Sequence, residues 1–264
     1  MKKKNNFKTV EIEQREGKIA ILKMIRADEL NTLSYEFMNE MYDALIQLKF
    51  DDQVRVVIII GKGKAFCAGA ELNLVKNFDA LSSRNYLRQV ADLFTCIEEL
   101  EKPVIAAING YALGGGFEMA IACDFRIMAE ETRVGLPEIN LGTLPNAGGL
   151  QRLPKLVGRG KANEIVLLGR HYTAKEAFDM GLIYRCVPGN ALMDAALELA
   201  QELAQKSLIA LRFGKTSLNV AADLDTKNAI RYGLEAICLT FAAEDRKEGM
   251  KAFLEKKKPV FKDR

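Results

Sequence analysis

The sequence has little of the residues on which several common active sites depend. Its 264 residues include a single histidine and no tryptophan. One histidine cannot form a metal site of the multi-histidine type, and the residues around His171 predict a loop rather than a catalytic base. No serine stands in the G-x-S-x-G pattern of α/β-hydrolase nucleophiles. We therefore predict no metal site, and we expect any acid–base chemistry to use carboxylates.

The few cysteines do not form a recognisable framework. They are odd in number, widely spaced and without a C-x-x-C pair, which argues against both a disulfide scaffold and a zinc site. We predict that they are small buried apolar residues. They are Cys67, Cys96, Cys123, Cys186 and Cys238.

Neither charge nor hydropathy points to a nucleic acid or a membrane. The formal net charge is only +3, whereas nucleic-acid binders usually carry a clustered basic face. The longest uncharged run, 103–117, holds 15 residues interrupted by glycines, which is too short to span a bilayer. The basic start, residues 1–7, has no apolar segment after it. We expect no nucleic-acid partner, no membrane partner, no targeting signal and a cytoplasmic location.

Apolar periodicity predicts an α/β fold with a helical second half. Strands are predicted over 9–14, 19–25, 54–60, 103–108 and 124–129, and helices over 34–50, 84–100 and up to 122. Further helices are predicted over 160–168, 174–180, 191–205, 208–221, 226–242 and 245–255. The later helices are expected to form a layer on the α/β core or against another subunit.

Three glycine patterns fail as nucleotide sites. The segment 61–66 follows a strand, but Phe66 stands where the dinucleotide fingerprint needs its third glycine. Gly160-Lys161 and Gly214-Lys215 both lack the upstream glycine of a P-loop. The sequence therefore supports neither a dinucleotide nor a P-loop nucleotide site.

One glycine block, Asn109 to Glu118, leaves a predicted buried strand and opens a helix. Its three consecutive glycines permit positive φ angles and a close approach of ligand to backbone. The free N–H groups of a helix N-terminus attract negative charge. The block therefore fits either an anion or oxyanion site or a close helix–strand crossing that needs glycines, and the pattern alone does not decide between them.

A second segment that follows a predicted strand, Lys64 to Leu72, has small residues at 67–70. Two such segments are able to place two backbone N–H donors on one carbonyl oxygen, as in an oxyanion hole. The sequence does not show that they meet.

Two glutamates lie in apolar surroundings. Glu118 ends the glycine block, and Glu138 lies in Gly-Leu-Pro-Glu-Ile. Burial would raise the pKa of both carboxyls and suit them to proton transfer. The alternative for either residue is a solvated surface charge.

Together these segments resemble the enoyl-CoA hydratase/isomerase (crotonase) superfamily over essentially the whole chain. The resemblance rests on Leu30-Asn31, Phe66–Glu71, the glycine block, Cys123-Asp124, the Pro137–Arg152 block and the tail Phe241–Phe261. It implies a spiral of ββα units, residues 1–195, followed by a C-terminal helical trimerisation region, residues 196–264. It also implies a homotrimer or homohexamer.

The resemblance further implies an acyl-CoA substrate of fatty-acid metabolism and no cofactor, because coenzyme A is part of the substrate. The thioester oxygen would be bound by the backbone N–H groups of Ala70 and Gly115. Glu118 and Glu138 would be catalytic: Glu118 would activate the water, and Glu138 would give a proton to the α-carbon. The substrate-binding residues implied are Ala68, Ala70, Glu71, Leu72, Asn73, Gly114, Gly115 and Asn146.

Retention of both glutamates favours an enoyl-CoA hydratase over an isomerase, since isomerases of the family typically use one. Three residues depart from the common pattern: Glu71 replaces an aspartate, Asn73 a lysine and Asn146 a glycine. Asparagine tolerates the left-handed backbone that a glycine often adopts. The alternatives are an isomerase, a hydratase for branched or dicarboxylic acyl-CoA of the methylglutaconyl type, and a non-catalytic RNA-binding relative.

Overall fold

The computed structural model describes residues 7–264. Residues 1–6, which include most of the basic start used to predict the absence of a targeting signal, lie outside the described residues. The strands are β1 Val10–Arg15, β2 Ile19–Met24, β3 Val56–Gly61, β4 Ala65–Cys67, β5 Val104–Ile108, β6 Tyr111–Leu113, β7 Phe125–Ala129, β8 Arg133–Gly135, β9 Tyr172–Thr173 and β10 Arg185–Val187. The α-helices are α1 Tyr35–Lys49, α2 Leu72–Val75, α3 Ala80–Glu98, α4 Gly115–Ala122, α5 Gly149–Leu168, α6 Ala174–Asp179, α7 Leu192–Ala204, α8 Leu208–Ala221, α9 Thr226–Ala242 and α10 Glu244–Leu254.

The larger sheet has the order β1-β2-β3-β5-β7-β10. Its strands pair in parallel except for the antiparallel β1–β2 hairpin. Strand β3 reads Val-Val-Ile-Ile-Ile-Gly and is almost wholly buried. A continuous β-branched run of this kind is typical of a parallel strand covered on both faces.

Successive side chains of β3 enter two different cores because strand side chains alternate between faces. Val57 and Ile59 join the core formed with α1, α3 and α4. Val56 and Ile58 join a second core under α7. Helix α7 contributes the small residues Ala195, Ala196 and Ala200 to this second core.

A second, smaller sheet has the order β4-β6-β8-β9. Strands β4, β6 and β8 pair in parallel, and β9 is antiparallel to β8. Each of the pairs β3–β4, β5–β6 and β7–β8 has its first strand in the large sheet and its second in the small sheet, and a helical segment follows each pair. This succession is the predicted spiral of ββα units.

The structure corrects the predicted elements in three places. Helix α5 begins at Gly149 rather than at 160. The sequence pattern missed its first half because that half contains Pro154 and Gly158, and the backbone at Gly158 is non-helical (φ 76°). The small-sheet strands, β10 and α2 were not predicted. Among the cysteines, Cys67 and Cys123 are buried as predicted, whereas Cys96 and Cys186 are only partly buried. Cys238 is exposed, so the prediction is wrong there.

The last three helices leave many apolar side chains exposed, including Leu218, Ile230, Leu234, Ile237 and Phe253. Helix α7 spans position 195, where the sequence analysis divides core from C-terminal region. That division stays a prediction. Across residues 7–264, no helix is both long and apolar enough to cross a membrane.

Candidate active site

The glycine block forms the turn between β6 and α4. Gly114 has φ 53° and ψ −128°, a conformation open to glycine rather than to residues with a side chain. Gly116 passes so close to β4 that a Cβ placed on it would lie 1.8 Å from the carbonyl oxygen of Cys67. The block is therefore a close crossing. It also opens a helix, and Gly115, as its first residue, has an N–H with no acceptor within the helix.

Residues 68–70, which belong to the second such segment and follow β4, lie against this turn. A Cβ built on Gly69 would be 3.2 Å from the backbone nitrogen of Gly115. The structure therefore brings together the two backbone segments that the sequence left apart. Gly69, which directly precedes the predicted oxyanion residue Ala70, lies close to the other predicted oxyanion residue, Gly115.

The 68–70 segment is held in place by the loop before α1. The N–H of Ala68 donates to the carbonyl of Leu30 at 3.0 Å, and the N–H of Leu33 donates to the carbonyl of Gly69 at 2.9 Å. The buried Tyr86 hydroxyl donates to the carbonyl of Leu33 at 2.7 Å. These bonds fix the direction of the backbone at Ala70.

Glu118 lies in the first turn of α4 and is only 3% exposed. Its Oε1 accepts a hydrogen bond from the backbone N–H of Gly149 at 2.6 Å. Burial raises the pKa of Glu118 to about 7, and the nearby Glu138 carboxyl adds to this rise. The N–H groups of Gly149 and Ala147 oppose it because they stabilise the carboxylate.

Glu138 reaches the other side of the glycine block from the 3₁₀ turn Pro137–Leu141. A Cβ on Gly114 would lie 2.7 Å from its Oε1. Its Oε2 is buried and has no hydrogen-bonding partner within the described part of the chain. Burial raises the pKa of this carboxyl as well. The predicted rise in the pKa of both glutamates is confirmed.

The remaining predicted site residues surround this centre at the surface. Leu72 and Asn73 begin α2 and are exposed, whereas Ala68 is partly buried. Glu71 pairs with Arg26 at 3.3 Å. Asn146 is exposed between buried neighbours, and its φ is not positive, so it needs no left-handed backbone.

The sequence profile of the family described as enoyl-CoA hydratase/isomerase matches residues 14–264. The chain belongs to this family. It is 39% identical over 249 residues to the crotonyl-CoA hydratase of Syntrophomonas wolfei, covering 94% of this chain and 96% of the relative. It is 37% identical over 246 residues to the short-chain-enoyl-CoA hydratase of Clostridium acetobutylicum, covering 93% and 94%.

A solved structure of an enoyl-CoA hydratase from Bacillus anthracis matches with a TM-score of 0.93 at 36% identity. The match covers 97% of this chain and 100% of that chain. The crotonase-type fold expected from the resemblance is thus confirmed, with its spiral of ββα units.

Several residues that support the site in this member of the enoyl-CoA hydratase/isomerase family were missed by the sequence analysis. They include Tyr86, which supports the 68–70 segment, and Gly149, which binds Glu118. Gly148-Gly149 was a usable signal, because paired glycines before an apolar helix predict an exposed helix N-terminus. Nothing in the sequence singles out Tyr86, whose partner lies 53 residues away.

The raised pKa of Glu118 predicts a pH-dependent cost in stability. The folded chain holds this proton with a pKa of about 7, against the ordinary 4.5. Proton binding by Glu118 therefore contributes its full amount to the free energy of unfolding below about pH 4.5, the ordinary pKa. This contribution is lost as the pH rises through about 7. Glutamine cannot ionise, so the free energy of unfolding of Glu118→Gln lacks this pH dependence. Relative to the wild type, we expect it to increase by on the order of 2–3 kcal/mol when the pH is raised from about 5 to about 8. Thermal unfolding of both proteins at the two pH values tests this, and an equal difference in Tm at both would contradict it.

Proposed function

We propose that this chain is an enoyl-CoA hydratase that adds water reversibly to a 2-enoyl-CoA thioester and yields the 3-hydroxyacyl-CoA. The observation that carries the proposal is the pair of carboxyls, Glu118 and Glu138, both with raised pKa values, on either side of one glycine turn. Addition of water needs two proton transfers, one from the water and one to the α-carbon, and two carboxyls supply them. The crotonyl-CoA and short-chain-enoyl-CoA hydratases among the relatives support the same reaction.

The backbone N–H groups of Ala70 and Gly115 are proposed as the oxyanion hole. Negative charge develops on the thioester oxygen when the β-carbon is attacked and an enolate-like state forms. Fixed N–H donors stabilise that charge, and each is worth roughly 2.7–4 kcal/mol in enzymes where one was removed. The close approach of the Gly69 and Gly115 backbones, which leaves no room for a side chain at Gly69, supports this assignment.

The surroundings of the two carboxyls support different roles. Glu118 accepts a backbone N–H, which opposes the rise in its pKa caused by burial and so helps the carboxyl to ionise, as a base that takes a proton from water must. Glu138 has an Oε2 that is buried and receives no hydrogen bond from residues 7–264, which favours its protonated form. A carboxyl of that kind suits delivery of a proton to the α-carbon.

The substrate is proposed to be an acyl-CoA of fatty-acid metabolism, contacted by the predicted residues Ala68, Glu71, Leu72, Asn73, Gly114 and Asn146. Hydration involves no net oxidation or reduction of the substrate, so the reaction calls for no redox cofactor. A homotrimer or homohexamer is proposed from the family resemblance, and the apolar side chains that α8, α9 and α10 leave exposed support self-association. The cytoplasmic location stays a prediction.

Crotonyl-CoA tests the proposal. We expect loss of the conjugated enoyl-thioester absorbance, with 3-hydroxybutyryl-CoA identified by chromatography. A 3-enoyl thioester converted to the 2-enoyl isomer, with no hydration product from any 2-enoyl thioester, would support the isomerase alternative instead. Hydration only of branched or dicarboxylic substrates would support the methylglutaconyl type. RNA binding that weakens with salt, without turnover, would support the RNA-binding alternative.

A further inference from the structure

The loop that holds Glu118 is itself held by an arginine on its other side. The guanidinium NH1 of Arg152 donates to the carbonyl of Ala147 at 3.1 Å. It lies so close to the loop that a Cβ on Gly148 would be 1.9 Å from it. Arg152 therefore contacts the 147–149 loop whose N–H groups stabilise the Glu118 carboxylate.

Arg152 is fixed in turn by α3. Its NH2 donates to Oε2 of Glu98 at 2.6 Å and to the hydroxyl of Thr95 at 3.4 Å. The Arg152 side chain is 15% exposed, so solvent screens this ion pair less than it would a surface pair. A planar guanidinium is able to bind Glu98 and the loop carbonyl at once, which the single ammonium of a lysine does less well.

We propose that Arg152 is a positioning residue that anchors the 147–149 loop to α3 and thereby orients the Glu118 carboxylate for proton transfer. The inference rests on the proposed function, in which Glu118 activates water. The charged groups facing Glu118 are Glu138 and Arg152, and those facing Arg152 are Glu98 and Glu118. The arginine lowers the pKa of Glu118 against the opposing effect of Glu138.

Replacement of Arg152 is expected to affect turnover more than substrate binding. For Arg152→Met we expect kcat to fall at least ~10-fold with KM changed less than ~3-fold, because small misplacements of a catalytic group are costly. The acid limb of kcat/KM moves to higher pH, since the Glu118 carboxylate loses a nearby cation. Arg152→Lys keeps the charge and restores the position of the acid limb, while kcat recovers only in part.

The matched control is Arg212→Met, because Arg212 forms its ion pair with Glu101 rather than with the loop. Its pH profile is expected to equal that of the wild type. A folded Arg152→Met variant with wild-type kcat and pH profile would overturn the proposal. Should that variant fail to fold, Arg152→Lys and Glu98→Gln carry the same test: both are expected to lower kcat, and unchanged turnover in both overturns it.

A readout without turnover separates this proposal from the proposed function. If the wild type hydrates no enoyl thioester, the proposed function fails. The titration of Glu118 is then followed directly by NMR of ¹³C-carboxyl-labelled glutamate, with the resonance assigned by its loss in Glu118→Gln. Arg152→Met is expected to raise the titration midpoint, and an unmoved midpoint contradicts the role of Arg152.

Discussion

Glu118→Gln and Glu138→Gln are each expected to lower the hydration of crotonyl-CoA at least ~10²-fold, the usual loss when a positioned acid or base is removed. Glutamine keeps the size of the side chain and loses only the ability to carry the proton. Because Gly149 donates its N–H to an oxygen of Glu118, the amide oxygen is able to accept the same bond, and the fold is expected to survive. Steady-state rates with circular dichroism of each variant provide the measurement.

A control carboxyl away from the site is Glu40, which accepts the backbone N–H groups of Lys8 and Thr9. Glu40→Gln is expected to leave turnover near the wild-type rate. Near wild-type activity in Glu118→Gln or Glu138→Gln would remove that residue from the mechanism.

The two roles are separated by exchange of the α-protons of butyryl-CoA with D₂O. This saturated thioester has no leaving hydroxyl. Exchange of its α-protons therefore needs only the oxyanion hole and the carboxyl that transfers a proton to and from the α-carbon. We expect Glu138→Gln to suppress the exchange and Glu118→Gln to retain most of it. The reverse pattern would show that the roles are exchanged.

Gly114→Ala is expected to lower kcat by ~10²–10³-fold, the loss typical of a damaged oxyanion hole. The backbone at Gly114 has φ 53° and ψ −128°, which an alanine adopts only under strain. The added Cβ would also lie 2.7 Å from Oε1 of Glu138, so that either the carboxyl or the turn before Gly115 must move. The measurement is kcat for crotonyl-CoA with the melting temperature of the variant.

Gly181→Ala is the matched control for backbone strain. Gly181 has a φ of 78°, and a Cβ there would meet no atom within 4 Å. It is expected to lower the melting temperature and leave kcat unchanged. Equal activity losses in the two variants would mean that general destabilisation, and not the geometry of the site, explains the effect at Gly114.

Five strands of the large sheet and most helices were predictable because their patterns are long, whereas β10, with three residues, was not. Strand β3 is a continuous β-branched run, and α1 repeats apolar residues at helical spacing after the N-cap Ser34. Strands β4, β6 and β8 have three residues each and β9 has two, which is too short for any periodicity to register.

Those short strands are what assemble the site. Strand β6 pairs in parallel with both β4 and β8, so the carboxyl ends of all three lie at one edge of the small sheet. The segments that leave this edge carry Ala70, Gly115 and Glu138. The sequence therefore indicated which residues have suitable chemistry, while their meeting depended on pairings between strands that the pattern could not show. Supporting contacts such as Tyr86 to Leu33 depend on the same long-range placement.

Addition of water to a 2-enoyl thioester leaves a solvent oxygen in the product, so hydration of crotonyl-CoA in H₂¹⁸O is the decisive measurement for this chain. We expect mass spectrometry to show 3-hydroxybutyryl-CoA with one solvent oxygen on its β-carbon. Formation of this product is expected to fall in Glu118→Gln and Glu138→Gln. Addition of water would be contradicted if the folded protein returned only unlabelled or isomerised thioester from crotonyl-CoA and also from branched and dicarboxylic 2-enoyl thioesters.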